Sequence, residues 1–254
     1  MRILALLLCL VLSPAAQAGA VLDAIHASGV LRVGTTGDYK PFSFRAPDGS
    51  YSGADIDMAR RLAARLGVRL QFVPTVWGRL NSDFAAGLFD LAMGGVTNLP
   101  PRVAIGPFAA TVYVDGKRPI ASCADRDRFT SISSIDRPGV RVVVNPGASN
   151  EEFARANFPH AQLTVHADNA TVFEEIVAHR ADVMVTDGIE VDHQSFIHKG
   201  VLCPTAVPQP FTHLEKAYWV RPDAELLAVV NSFVQGEIES GAWQRTLDAA
   251  LAQP

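Results

Sequence analysis

The sequence predicts an α/β fold with mainly parallel sheets. Three observations carry that expectation. Short runs of β-formers alternate with amphipathic helical stretches along the chain. Four of the expected strands end in polar or glycine-rich segments, where ligands bind in such sheets. The 254 residues, 48% hydrophobic and 19% charged, suffice for a sizeable core and exclude a disordered chain.

The first residues stand outside that fold. Arg2 precedes an apolar run over 3–12, and Ala16-Gln17-Ala18 gives a small-x-small end. Residues 1–18 therefore read as a secretory signal, cleaved after Ala18. The run is too short to span a bilayer, and no other stretch approaches the ~20 apolar residues a span needs. A soluble, exported protein is expected, with no membrane contact after cleavage. Loss of Arg2 takes the net charge from -4 to -5, and this acidic balance argues against nucleic acid as a partner. Cys9 leaves with the signal. Cys123 and Cys203 remain, as one disulfide or as two buried thiols; their spacing leaves both open.

The elements follow in order. Residues 31–35 form a strand, and Ser43-Phe44-Arg45 and Tyr51 flank a Pro47-Asp48-Gly49 hairpin turn. Helix 55–66 places Ile56, Ala59, Ala63 and Leu66 on one face, with acids first and arginines later, and Gly67 stops it. Strand 69–73, helix 80–86 and strand 88–93 lead into Gly94-Gly95. Strand 140–144 ends at Asn145-Pro146-Gly147, where Ser149 can cap the next helix. Strand 163–166 precedes a helix from Asn169 through Val172 and Ile176. Strand 181–186 runs into a helix from Gly188. After strand 217–220, Asp223 opens a long helix through Leu226, Val230, Phe233 and Ile238, broken at Gly241. The ligand-facing exits are then 35–41, 94–102, 145–150 and 186–190. His193 and His198 are five apart and share no helix face, so no metal site is expected, and the histidines are expected at the surface.

Several of these segments resemble a known family. Gly29-Val30-Leu31-Arg32-Val33, Pro41-Phe42-Ser43-Phe44 and Gly53-Ala54-Asp55-Ile56-Asp57 are similar to the opening of periplasmic amino-acid-binding proteins, the bacterial solute-binding proteins of family 3. Asp90-Leu91-Ala92 with Arg102, and Ala181-Asp182-Val183 with Asp187, fit the same pattern. A closer resemblance is to the cyclohexadienyl dehydratases, periplasmic enzymes on that fold. It rests on residues 35–44, Val144-Asn145-Pro146-Gly147, Asn150-Glu151, residues 153–157, Thr186-Asp187, Ile189-Glu190 and Glu215-Lys216-Ala217-Tyr218. Thr111-Val112 departs from the usual Pro-Tyr, and Gly188 from the usual Ala.

The resemblance implies a two-lobed periplasmic binding protein-like fold (type II) with a ligand cleft between the lobes. Lobe 1 would hold 19–114 and 212–254, and lobe 2 would hold 115–211, with a Cys123–Cys203 disulfide in lobe 2. It also implies conversion of prephenate to phenylpyruvate or L-arogenate to L-phenylalanine, without metal or cofactor. The leaving hydroxyl then needs a proton donor, and Glu190 resembles the family's catalytic acid. Arg102 resembles the carboxylate clamp, and Lys117 would neutralise a second carboxylate. Ser149 and the neighbouring N–H groups offer an anion site, and Asn145 a neutral amide. Asp187 resembles the partner of an α-amino group, and Thr97 lies on the loop whose hydroxyl meets a ligand carboxylate. Asp38 and Tyr39 would line the pocket, with Phe42 and Trp77 stacking on the ring. The alternative is a binding protein that delivers a polar amino acid to an ABC importer. Subunit number stays open, a homo-oligomer included.

Overall fold

The computed structural model describes residues 19–147 and 149–253. The expected signal, 1–18, lies outside them. The chain begins with α1 (Ala20–Ser28) and β1 (Val30–Thr35), then an antiparallel flap of β2 (Asp38–Tyr39), β3 (Ser43–Arg45) and β4 (Tyr51–Ser52). Next come α2 (Ala54–Leu66), β5 (Arg69–Pro74), α3 (Leu80–Ala85), β6 (Leu91–Ala92) and α4 (Pro100–Val103). β7 (Tyr113–Asp115) passes into β8 (Lys117–Ser122), a 3₁₀ turn, α5 (Ile132–Ile135) and β9 (Arg141–Val144). α6 (Ser149–Asn157), β10 (Gln162–Val165), α7 (Glu174–Val177), β11 (Val183–Asp187), α8 (Gly188–Ile197) and β12 (Leu202–Pro204) follow. The return runs through β13 (Leu214–Lys216), β14 (Trp219–Val220), α9 (Ala224–Glu239) and α10 (Ala242–Leu251).

Two sheets organise these elements. One has the order β14-β6-β1-β5, the other β10-β9-β11-β8-β12. Each is parallel at its heart, β6-β1-β5 and β10-β9-β11, and antiparallel where β14, β8 and β12 join. The mainly parallel sheets expected from the sequence are therefore mixed. β8 and β14 follow directly on the segments that cross between the sheets, which strand–helix alternation does not register. The crossings β7 and β13 pair with each other as a two-stranded antiparallel ribbon. Both sheets are buried: Leu31, Val33, Leu91 and Trp219 in one, and Ile120, Val143, Val183 and Val185 in the other, are fully enclosed. A disulfide joins Cys123, just after β8, to Cys203 on the neighbouring β12.

Local chemistry explains where the elements differ from expectation. Strand 88–93 contracts to β6, because the Asp90 carboxylate accepts the Arg32 backbone N–H at 2.9 Å and its guanidinium at 2.5 Å. The helix expected from Asn169 starts only at Glu174; before it, Asp168 holds the Ala170 N–H in a turn. Asp223 caps α9 as expected, accepting from Leu226 N–H at 2.8 Å, and it also takes the Val21 N–H of α1. His193 is buried on α8, not at the surface, and burial lowers its pKa. Among the described residues, no helix is long and apolar enough to cross a membrane.

Candidate functional site

The strand exits of the two sheets face a common cleft. Tyr39, Trp77, Gly95, Thr97 and Arg102 line it from one side; Asn145, Ser149, Asn150, Asn169, Asp187 and Glu190 line it from the other. Gly147 makes close approach possible at its mouth. A Cβ there would come within 2.5 Å of the Gly78 Cα, and the φ of 70° suits glycine.

Asp187 ends β11 and is the hub of the site. Its carboxylate accepts from Lys117 Nζ and Lys216 Nζ, each at 2.7 Å, and from the Tyr39 hydroxyl at 2.5 Å. Lys117 comes from β8, paired with β11 so that Lys117 faces Asp187. Lys216 comes from β13 and also donates to Gly95 O and Thr97 Oγ1. Its ammonium lies 5.0 Å from the Tyr39 ring centre. Burial alone would raise the Asp187 pKa; the two ammonium groups instead hold it well below the usual carboxylate range. Burial pulls Lys117 down, and the Asp187 charge opposes that.

Glu190 lies three residues on, in the first turn of α8. It is buried and accepts a hydrogen bond from the Thr186 hydroxyl. Burial pushes its pKa up to about 8; the Thr186 bond opposes this and the Asp187 charge adds to it. At neutral pH the carboxyl is protonated, and Thr186 occupies one of its oxygens. The Asn150 amide donates to Thr186 Oγ1 and to Asn145 Oδ1, both at 2.9 Å, and its Oδ1 accepts from Lys117. Asn145, Asn150 and Thr186 therefore form a polar floor between Lys117 and Glu190.

The start of α8 is held by the crossing ribbon. Asp115 on β7 accepts from Gly188 N–H at 3.1 Å and Ile189 N–H at 3.0 Å. A Cβ on residue 188 would meet Asp115 Oδ1 at 2.7 Å. With glycine at this position the Asp115 carboxylate sits directly on the start of the helix that carries Glu190.

Arg102, on α4, is buried, with Nη1 on Thr97 O at 2.9 Å and Nε on Asn81 Oδ1 at 3.1 Å. Burial lowers its pKa to about 10, so it stays charged at neutral pH. The loop before α4 is fixed by Asp55, whose carboxylate takes the Gly94 and Gly95 N–H groups and the Tyr218 hydroxyl.

Of the residues singled out in the sequence, Tyr39, Trp77, Thr97, Arg102, Asn145, Ser149, Asp187 and Glu190 line the cleft. Three others sit behind it. Lys117 is buried against Ser149, Asn150 and Asp187. Asp38 takes the Trp77 indole N–H at 3.0 Å. Phe42 is fully enclosed and packs on Tyr39 with ring centres 5.3 Å apart, so it supports the cleft wall without lining it. Ser149 begins α6, and its hydroxyl accepts from Lys117. Sequence reasoning gave no role to Lys216, Asn150, Thr186 or Asn169. Lys216, Asn150 and Thr186 lie inside segments that carry the resemblance, and Asn169 reads in the sequence as a helix start.

Known proteins share this fold and much of this sequence. Residues 31–251 match the family model of bacterial extracellular solute-binding proteins, family 3. Cyclohexadienyl dehydratase of Pseudomonas aeruginosa is 45% identical over 227 residues, 89% of this chain and 84% of that protein. An ancestral amino acid-binding protein, a precursor of cyclohexadienyl dehydratase, superposes with a TM-score of 0.83 at 33% identity, over 91% of this chain and 100% of its own. An ancestral cyclohexadienyl dehydratase matches at 45% identity and a TM-score of 0.56, over 91% of this chain and 96% of its own. The protein belongs to the bacterial extracellular solute-binding proteins, family 3.

Proposed function

We propose that this protein is a dehydratase of cyclohexadienyl acids, converting prephenate to phenylpyruvate and L-arogenate to L-phenylalanine. The observation that carries this reading is Glu190, a carboxyl group sealed in the ligand cleft and protonated at neutral pH beside a cationic pole. A site that only binds an amino acid gains nothing from such a donor.

The cleft suits a dianion. Arg102 lines it, and behind the wall Lys117 and Lys216 together outweigh Asp187, so this end of the cleft is cationic. The two substrate carboxylates bind at this pole, with Thr97 and the start of α6 beside them. Tyr39 and Trp77 wall the ring. Hydroxide is a poor leaving group, so Glu190 gives its proton to the ring hydroxyl as the C–O bond breaks. The ring carboxylate leaves as carbon dioxide, and its bonding pair completes the aromatic ring. Water departs, and Glu190, now a carboxylate, regains a proton from solvent.

Asp187 differs from a simple α-ammonium partner, because its carboxylate is already shared by two lysines and a tyrosine. This favours the keto acid prephenate over arogenate. The reading includes a periplasmic location, reached through the 1–18 signal, and lobes divided at 114/115 and 211/212. The test is purified protein lacking residues 1–18, mixed with prephenate while phenylpyruvate is followed. Turnover is expected. Tight calorimetric binding of an amino acid with no turnover would overturn the reading in favour of a transport role.

A further inference from the structure

Asn169 lines the cleft and is nine-tenths buried. Its Nδ2 donates to the backbone carbonyl of Asp38, on the opposite wall, at 2.9 Å. That bond fixes which end of the amide is the donor, since a carbonyl oxygen only accepts. The other end, Oδ1, is enclosed and has no hydrogen-bond partner among the described residues. An enclosed acceptor without a donor is costly unless a ligand supplies one.

The rest of the cleft narrows what that ligand group can be. The anion pole offers Arg102, Thr97 and Ser149, and a carboxylate there is met by donors. A carboxylate placed against Asn169 Oδ1 would be repelled. At neutral pH prephenate carries two carboxylates, a ketone and one hydroxyl, and the hydroxyl is its single hydrogen-bond donor. Asn169 and Glu190 line the same cleft, so one bound ring hydroxyl can face both.

We infer that Asn169 is a substrate-binding residue, whose Oδ1 accepts the hydrogen of the ring hydroxyl that is expelled. The inference rests on the dehydratase reading. The hydroxyl donates its own hydrogen to Asn169, which turns an oxygen lone pair toward Glu190. As Glu190 delivers its proton the oxygen becomes water, and its hydrogens grow more acidic. The bond to Asn169 then strengthens toward the transition state, so it raises kcat more than it lowers KM. Electrons and atoms balance as in the parent reaction: the C–O pair leaves with water, and Asn169 exchanges no proton.

The test compares Asn169→Ala and Asn169→Gln with the unsubstituted protein. Turnover of prephenate and calorimetric binding of phenylpyruvate, the product that lacks the ring hydroxyl, are measured for each. The expected result for Asn169→Ala is a kcat loss of about 10- to 100-fold, as for loss of one hydrogen bond in an enclosed site. Phenylpyruvate affinity should change less than about threefold, with partial recovery of kcat in Asn169→Gln. Equal losses in kcat/KM and phenylpyruvate affinity would make Asn169 only a bridge between the cleft walls and overturn the inference. An unchanged kcat would overturn it too. Failure of the unsubstituted protein to turn over prephenate would instead overturn the dehydratase reading, and the inference with it.

Discussion

Asp187 and Glu190 are both acids, three residues apart, and each is 4% exposed. They hold opposite protonation states at neutral pH. Asp187 receives two ammonium groups and a phenol hydroxyl, and these outweigh its burial. Glu190 receives one neutral hydroxyl, so burial prevails and the Asp187 charge adds to it. Equal exposure therefore says little about ionisation; the donors that meet each oxygen decide it. The pair divides the labour of the cleft, one acid anchoring the cationic pole and the other supplying a proton.

The largest break in this contrast is Glu190→Gln. It keeps the shape and removes the transferable proton. Turnover of prephenate should fall by about 10²- to 10⁴-fold with the circular dichroism spectrum unchanged. Near-normal activity would remove Glu190 from its role. Asp187→Ala attacks the other acid and leaves Lys117 and Lys216 facing each other, buried. Urea unfolding should show a loss of about 3–5 kcal/mol, the range for breaking a buried ion pair. Because the Asp187 pKa is depressed in the fold, its contribution is present above the ordinary carboxylate range and is lost as pH falls through the lowered value. A variant as stable as the parent would show that the lysines need no counter-charge.

The substrate itself probes the same contrast. With Asp187 already occupied, an α-ammonium group finds no free carboxylate there. Prephenate should exceed arogenate in kcat/KM by about tenfold or more, the scale of one lost charged hydrogen bond. Arogenate preference would mean that the lysines yield Asp187 to the substrate. The smallest expected effect is that of Thr186→Val. Losing the Thr186 donor removes a hydrogen bond that favours ionised Glu190. Its pKa should rise by less than about one unit, seen as an upward move of the alkaline limb of kcat.

Much of this was readable in the chain. Strand exits located the cleft: Tyr39, Arg102, Asn145, Ser149 and Glu190 all sit just past a strand or at a helix start, and all line it. Core strands such as β1 and β9 were visible because they are rich in β-formers. What stayed hidden depends on contacts between distant segments. Nothing local to Lys216 says that its ammonium crosses to Asp187, 29 residues away, and nothing near Phe42 says that it backs Tyr39 from behind. β6 was overdrawn because the Asp90 side chain substitutes for part of the ladder. Asn169 was misplaced because an asparagine before an apolar helical pattern reads as a cap, whereas its amide reaches the far wall of the cleft.

The protonation of Glu190 is tested most directly by the pH dependence of kcat on prephenate. The active form is the protonated acid, so kcat should hold level through neutral pH and fall about tenfold per unit above about pH 8. A kcat that is lost as pH rises through 4 to 5, or one that rises with pH across neutrality, would show that Glu190 is an ordinary carboxylate and not the acid of the reaction.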